Sequence, residues 1–321
     1  MNTIRPSLYW DNFAARMKET VDCVRAGIAP PVRRVAVFIT EGCNFRCKYC
    51  NIAQTPKTLS KERFEEIVAA YGKTAIIHIT GGEPSIVPWL YPYIEEHGNE
   101  YQFHLNTNAY IAPPAQHIRR LKVSLDSCSA SYWNNLVGRD AFHEVVNNIK
   151  WACKHTVTSI TYTLTRENYR HAPDFIRYSN EVFPDLYALF FSVYKGTNPN
   201  FVFSPGDIEN FFWRIVPEMK SLLPEESLAL LCETMDSKQR LIAGTRFPEN
   251  NLSEPCYLSM SERVIGPDGE ESTCSHLYRD GIKSKEPCKH GVCRYGCNQR
   301  LVAFNNVVSE KLNLTTIENM V

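Results

Sequence analysis

The sequence predicts an α/β fold: six β/α units with parallel strands, forming an open sheet or an incomplete (β/α)6 barrel, followed by a small cysteine-rich segment. Three observations predict it. Between Arg34 and Tyr194, short β-branched and aromatic runs alternate with helical patterns. The runs start about 20 to 40 residues apart, room for a helical crossover each time, and such crossovers join parallel neighbours. Beyond Asn251, Pro, Gly and Cys become dense, as in a small unit held by metal because its core is thin.

The strand-like runs are Val35–Thr40, Ala75–Thr80, Tyr101–Asn106, Lys122–Asp126, Thr156–Thr165 and Tyr187–Tyr194. Between the first two, Phe64, Ile67, Val68 and Tyr71 repeat at helical spacing, and Phe142, Val145, Val146, Ile149 and Cys153 do so between the fourth and fifth. After the sixth run, Gly196 to Asn200 reads as a loop. Ile208, Phe211, Phe212, Ile215 and Met219 then predict an amphipathic helix interrupted near Pro217, and Glu225 to Ile242 a further helix. Pro267-Asp268-Gly269 predicts the turn of a β-hairpin. The resulting division is an N-terminal extension (1–33), a barrel core (34–195), a helical insert or linker (196–250) and a cysteine-rich domain (251–321).

Composition narrows the function classes. The chain has 321 residues with 35 Lys+Arg against 35 Asp+Glu, so its formal net charge is zero. A global electrostatic footprint for nucleic acid or anionic lipid is therefore missing. No apolar run approaches a membrane span, and Met1 to Val21 carries charges where a signal peptide needs apolar residues, which predicts a cytoplasmic location. Twelve Cys in a chain without a secretory signal point to metal binding or catalysis rather than disulfides. Cys23, Cys128, Cys153 and Cys232 stand alone and read as small buried hydrophobes.

In parallel α/β sheets, ligands sit at the carboxyl ends of the strands. The polar motifs obey that rule. Cys43-x3-Cys47-x2-Cys50 follows the first strand, Gly81-Gly82-Glu83-Pro84 the second, Asn106-Thr107-Asn108 ends the third and Asp126-Ser127 the fourth. Three thiolates in one short loop are one ligand short of a closed zinc site, and suit a cubane [4Fe–4S] cluster with one iron left open.

In these motifs the sequence resembles the radical S-adenosylmethionine (radical SAM) enzymes, over Val35 to about Tyr194. The resemblance implies a TIM-like partial barrel, a [4Fe–4S] cluster on Cys43, Cys47 and Cys50, and SAM chelating the open iron through its amino and carboxylate groups. It implies that Tyr49 passes the adenine edge with its backbone. Gly81 and Gly82, without Cβ atoms, would let the chain approach the methionine end of SAM, with Glu83 near the amino group. Asn108, Ser124 and Asp126 occupy positions that face the ribose or methionine carboxylate, and Arg139 matches an arginine that reaches the carboxylate. Ser124 and Asp126 read equally as caps of a following turn, and Arg139 as a surface residue.

Cys256, Cys274, Cys288, Cys293 and Cys297 form a second cluster, the first two flanking the predicted hairpin. Their spacing resembles the twitch and SPASM extensions of radical SAM enzymes and implies one auxiliary [4Fe–4S] cluster on Cys256, Cys274 and two of the remaining three. A structural tetrathiolate zinc is the alternative, and His276 and His290 are further ligand-type residues in the same segment.

The resemblance implies an enzyme that takes an electron from a flavodoxin or ferredoxin, cleaves SAM to methionine and a 5′-deoxyadenosyl radical, and removes hydrogen from a C–H bond of a peptide or small-molecule substrate. The auxiliary cluster would oxidise the substrate radical or bind substrate. Epimerisation instead requires a hydrogen-atom donor, and Cys128, after the fourth strand, is the residue of that type. About 30 residues precede the first strand, fewer than a separate leader-peptide-binding domain needs, which weighs against a peptide. A non-catalytic two-cluster electron-transfer protein and a zinc-stapled binding module are the readings of other classes.

Overall fold

The computed structural model describes residues 13–194, 196–242, 256–275, 278, 285 and 299–318. All six expected strands form: β1 (Arg34–Phe38), β2 (Ile76–Thr80), β3 (Phe103–Thr107), β4 (Arg120–Ser124), β5 (Val157–Leu164) and β6 (Ala188–Val193). They pair in sequence order, each parallel to the next, so their carboxyl ends share one rim.

Crossover helices cover one face of this sheet: α2 (Lys61–Tyr71), α3 (Leu90–His97), α4 (Ala130–Val137), α5 (Phe142–Cys153) and α6 (Ala172–Val182), after an N-terminal α1 (Phe13–Arg25). Ser60 caps α2 by accepting from the Arg63 N–H, and its periodic Phe64, Ile67 and Val68 are buried. In α5 the buried residues are again the periodic ones: Phe142, Val145, Val146 and Ile149. These side chains meet alternate strand residues such as Val35, Val37, Ile77, Ile79, Leu121 and Val123 in one large core. Each fully buried side chain of this kind contributes about 1.5–3 kcal/mol. The helices thereby fix which strand residues face outward. The intervening residues face the hollow inner side of the sheet.

The hairpin expected around Pro267-Asp268-Gly269 forms from β7 (Glu262–Ile265) and the antiparallel β8 (Glu271–Ser272). Its position is the larger finding. Although it comes from the cysteine-rich segment, β7 pairs parallel with β1 and extends the main sheet. The segment's other described elements, α10 (Tyr257–Met260) and α11 (Gln299–Glu318), pack with α1 in a satellite core of Val21, Tyr257, Leu258, Phe304 and Val308.

The insert holds α7 (Pro205–Asn210), a π-turn over Phe211–Ile215, α8 (Val216–Met219) and α9 (Glu225–Ile242). The interruption expected near Pro217 is the π-turn just before it, in which the Val216 N–H bonds the Phe211 carbonyl five residues back. Among the described residues, no helix is long and apolar enough to cross a membrane.

Candidate functional site

The rim at the carboxyl end of β1 carries the loop Cys43 to Cys50, braced from two sides. On one side, the chain leaving β2 donates from Gly82 N to the Thr40 carbonyl (2.7 Å) and from Glu83 N to the Gly42 carbonyl (2.8 Å). The two glycines are required by that contact. Gly81 has φ +145°, and a Cβ there would lie 2.5 Å from the Thr40 carbonyl oxygen; at Gly82 it would lie 2.0 Å from the Gly42 carbonyl oxygen. Close approach to the cysteine loop thus accounts for both glycines. On the other side, Arg46 N and Lys48 N donate to the carbonyls of Val137 and Leu136 at the C-terminus of α4 (2.8 and 2.9 Å). Between the two braces, Phe45 is buried edge-on against Trp133, with ring centroids 5.6 Å apart.

Within the loop, Cys43 and Cys47 are half-buried and Cys50 is exposed. Phe45 N donates to Cys43 Sγ at 3.4 Å. Burial pushes the Cys43 and Cys47 thiols above their ordinary range, and neighbouring Asp126, Glu83 and the other cysteines push the same way. Such thiols are poor nucleophiles, but a bound metal centre supplies the positive charge that ionises them outright. Among the described residues, no group of three His, Cys, Asp or Glu is placed to hold a single metal ion. The donor set offered is three separate thiols, which fits a polynuclear cluster taking one thiolate per iron. Asn44, inside the loop, has a buried Nδ2 with no hydrogen-bond partner, while its Oδ1 accepts from Asn108 Nδ2 at 2.7 Å.

Asn108 is therefore at the site and tied to the cysteine loop. Glu83 is buried and braces the ends of two strands: its carboxylate accepts from Thr107 Oγ1 (2.6 Å), Asn108 N (2.7 Å) and Ser85 N (3.0 Å). Burial raises its pKa despite these bonds. Asp126, expected to face a nucleotide, is buried instead. Its Oδ2 accepts from Tyr49 OH (2.5 Å) and its Oδ1 from Thr163 N (2.6 Å), so it fastens the end of the cysteine loop to β5. The Tyr49 ring packs edge-on against Tyr194 and Phe201, which also touch each other. Ser124 is exposed at the end of β4. Arg139 is exposed near the same rim, with its guanidinium 4.8 Å from the centroid of the Tyr110 ring.

Cys128 follows β4, as expected. It packs half-buried against the outer core, with Tyr162, Tyr178 and Asp174 as its electrostatic neighbours. Cys256 begins α10 and accepts from Asn305 Nδ2 at 3.4 Å, and Cys274 follows β8. Cys288, Cys293, Cys297, His276 and His290 lie outside the described residues. Sequence reasoning gave no role to Asn44 or to the α4 terminus, and did not foresee the Thr107 bond to Glu83; these contributions depend on contacts between distant segments.

The Asp126–Tyr49 pair makes a prediction. Burial is the largest influence on Asp126 and pushes its pKa from 3.8 up to about 6. Its contribution to stability is therefore full below pH 3.8 and is lost as the pH rises to about 6. Tyr49→Phe removes a bond to the ionised carboxylate. Its cost of about 1–3 kcal/mol should appear in urea unfolding at about pH 7.5 and shrink at about pH 5. Equal costs at both values would contradict this account of the pair.

Comparison with known proteins agrees with this geometry. Residues 37–178 match the model of the Radical SAM superfamily. A curated relative, the GTP 3′,8-cyclase of Sulfurovum sp. (strain NBC37-1), is 31% identical over 131 residues, covering 35% of this chain and 40% of the relative. The chain thus spans less than half the length of that relative. Among solved structures, Streptococcus suis SuiB bound to S-adenosylmethionine superposes with a TM-score of 0.59 at 11% identity, over 94% of this chain and 81% of SuiB. The anSMEcpe structure with bound AdoMet gives 0.56 at 16% identity, over 87% and 80%. Both share the parallel-sheet α/β fold of the partial barrel. The stretch that matches the Radical SAM superfamily model runs from β1 into α6, 142 of the 321 residues.

Proposed function

We propose that this chain is a radical SAM enzyme that removes hydrogen from a C–H bond of a peptide or small-molecule substrate lying on the hollow side of the sheet. The observation that carries the proposal is the three-thiol loop after β1, held between Gly81-Gly82-Glu83 and the end of α4. When bound, a reduced [4Fe–4S] cluster with SAM at its open iron supplies one-electron cleavage of the sulfonium and a hydrogen-abstracting carbon radical.

The chain's own residues bind and orient. Cys43, Cys47 and Cys50 hold the cluster. The backbone at Tyr49 borders the adenine, and Gly81 and Gly82 keep the β2 turn close to the loop. Asn108, Ser124 and Arg139 are the polar groups offered to SAM. Glu83 and Asp126 act one step back: each spends its carboxylate on protein donors and so fixes the loop that holds the thiols. The packed rings of Tyr49, Tyr194 and Phe201 exclude water beside the loop.

Cys256 and Cys274, with two of Cys288, Cys293 and Cys297, would hold an auxiliary [4Fe–4S] cluster. It would take an electron from the substrate radical or bind substrate directly. The outer-layer position of Cys128 favours oxidation over epimerisation. Flavodoxin or ferredoxin fits as the electron donor.

Anaerobic reconstitution tests this reading. It predicts about eight irons per chain, from two cubane clusters, and release of 5′-deoxyadenosine under reductant. Zinc at both sites and no SAM cleavage would reject it. Replacing Cys256 and Cys274 together by Ala should lower iron by about half; unchanged iron would reject the auxiliary cluster alone.

A further inference from the structure

The segment after β6 touches the cysteine loop but is fastened from outside it. Phe201 is buried, with its ring edge-on to Tyr49 (centroids 6.2 Å apart) and to Tyr194 (5.9 Å). Tyr194 OH donates to Asn51 Oδ1 at 3.2 Å, just past Cys50. The segment's own turn is closed by Phe201 N and Val202 N, both donating to the Asn198 carbonyl (3.0 and 3.1 Å). Residues 196–204 therefore form a strap that walls the end of the cysteine loop.

One carboxylate holds the far end of the strap. Asp207, in the first turn of α7, is buried and engages four residues. Its Oδ2 accepts from Ser204 N (3.0 Å) and pairs with Arg166 Nε (3.2 Å), and its Oδ1 accepts from Tyr169 OH (3.2 Å) and Arg170 Nη2 (3.4 Å). Burial alone would raise the Asp207 pKa, but the donors on Ser204 and Tyr169 and the Arg166 charge hold it below its ordinary value. Arg166 also reaches back to the strap, its N–H donating to the Phe201 carbonyl at 3.0 Å.

Arg166, Tyr169 and Arg170 stand on the connection between β5 and α6, which is tied to Tyr49 by a second route. Asn168 Oδ1 accepts from Thr165 N (2.7 Å) and its Nδ2 donates to the Thr163 carbonyl (2.9 Å). Thr163 N in turn donates to Asp126, which accepts from Tyr49 OH. Tyr49 is thus gripped at its hydroxyl through β5 and at its ring through the strap. Arg166 joins the two routes.

We propose that Asp207 is a positioning residue for SAM: by fastening the 196–204 strap to the β5–α6 connection, it holds Phe201 against Tyr49 and so places the backbone that borders the adenine. Asp207 acts through Phe201 and not on the thiols. Without its charge, the Arg166 and Arg170 side chains, already 51% and 53% exposed, turn to water, α7 loosens and Phe201 withdraws. The role rests on the radical SAM reading.

The test is equilibrium dialysis of SAM against the anaerobically reconstituted full chain, for the wild type, Asp207→Asn, Phe201→Leu and the double variant. Asp207→Asn should weaken SAM binding by about tenfold with iron per chain unchanged, and the loss should appear in KM for SAM rather than in kcat. Because the effect passes through Phe201, Asp207→Asn should cost less than about twofold once Phe201 is replaced by Leu. Arg166→Gln should weaken binding by about threefold. It decides the matter if near-ultraviolet circular dichroism shows that Asp207→Asn does not fold. Asp174→Asn, which removes the exposed pair with Arg177 on α6 (2.9 Å), is the charge control and should bind like the wild type. Unchanged SAM affinity in folded Asp207→Asn, or in Arg166→Gln where that variant decides, overturns the proposal. So does full additivity of the Asp207 and Phe201 substitutions, or an equal loss in Asp174→Asn. A wild type that carries its iron but binds no SAM overturns the radical SAM reading and this role with it, whereas a wild type that binds SAM as tightly as every variant overturns this role alone.

Discussion

Replacing any one of Cys43, Cys47 and Cys50 by Ala is expected to reduce 5′-deoxyadenosine release to background and to remove about four irons per chain. The reason lies in the loop. Two of its three thiols are half-buried, and burial raises their pKa, so each depends on a bound metal centre to exist as thiolate. Removing one leaves a cluster with two protein ligands in a loop otherwise held rigid. The braces come from backbone bonds at Arg46 and Lys48 and from the Gly82 and Glu83 N–H groups, none of which involves a thiol. The variants should therefore fold, keep iron at the second cysteine group and lose only this site. A single-Cys variant that retains wild-type SAM cleavage would overturn the ligand assignment.

Gly82→Ala is expected to have an effect nearly as large, without touching a ligand. Its Cβ would stand 2.0 Å from the Gly42 carbonyl oxygen and 2.8 Å from the Glu41 carbonyl oxygen. Both are backbone atoms in the strand-to-loop connection before Cys43, so no side-chain rotation relieves the clash. The β2 turn and the cysteine loop must separate, which strains or breaks the 2.7 and 2.8 Å bonds between them. Overpacking of this kind costs about 3 kcal/mol. The urea midpoint should fall, and iron at the N-terminal site should be lost on gel filtration while the second site retains its own. Gly206→Ala, where an added Cβ meets nothing within 4 Å, is the matched control and should change neither. Normal iron retention in Gly82→Ala would show that the contact does not position the loop.

Much of this architecture is legible in the chain because it is written in local patterns. Alternating apolar runs give β1 to β6 within a few residues, and the 3.6-residue repeats give α2 and α5 with the buried residues they name. The cysteine loop, the glycine turn and Asn108 are legible as a site because each follows a strand, and parallel strands bring their ends together. What the chain conceals is long-range. The hairpin at Pro267 to Gly269 is readable, but nothing local says that β7 lies beside β1, more than 200 residues earlier in sequence. Residue type alone likewise does not give the partners of Asp126 and Cys128. A carboxylate at a strand end suits a ligand contact as well as a bond to Tyr49, and only the fold shows that its oxygens are already engaged. Cys128 follows β4 at the rim, yet the chain turns there into the layer beneath α6, which one sequence position cannot reveal. The fastening of Phe201 through Arg166 to Asp207 is also invisible before the fold brings these segments together.

The central claim is that the iron left without a protein thiol beside Cys43, Cys47 and Cys50 is where the sulfonium nucleotide binds. Electron paramagnetic resonance of the anaerobically reconstituted and reduced chain, with and without SAM, tests it most directly. To isolate one signal, the spectrum is taken on the variant lacking Cys256 and Cys274. A reduced [4Fe–4S] spectrum whose g-values shift on adding SAM is the predicted result. A spectrum indifferent to SAM, from a chain that carries a full complement of iron at that loop, would contradict it.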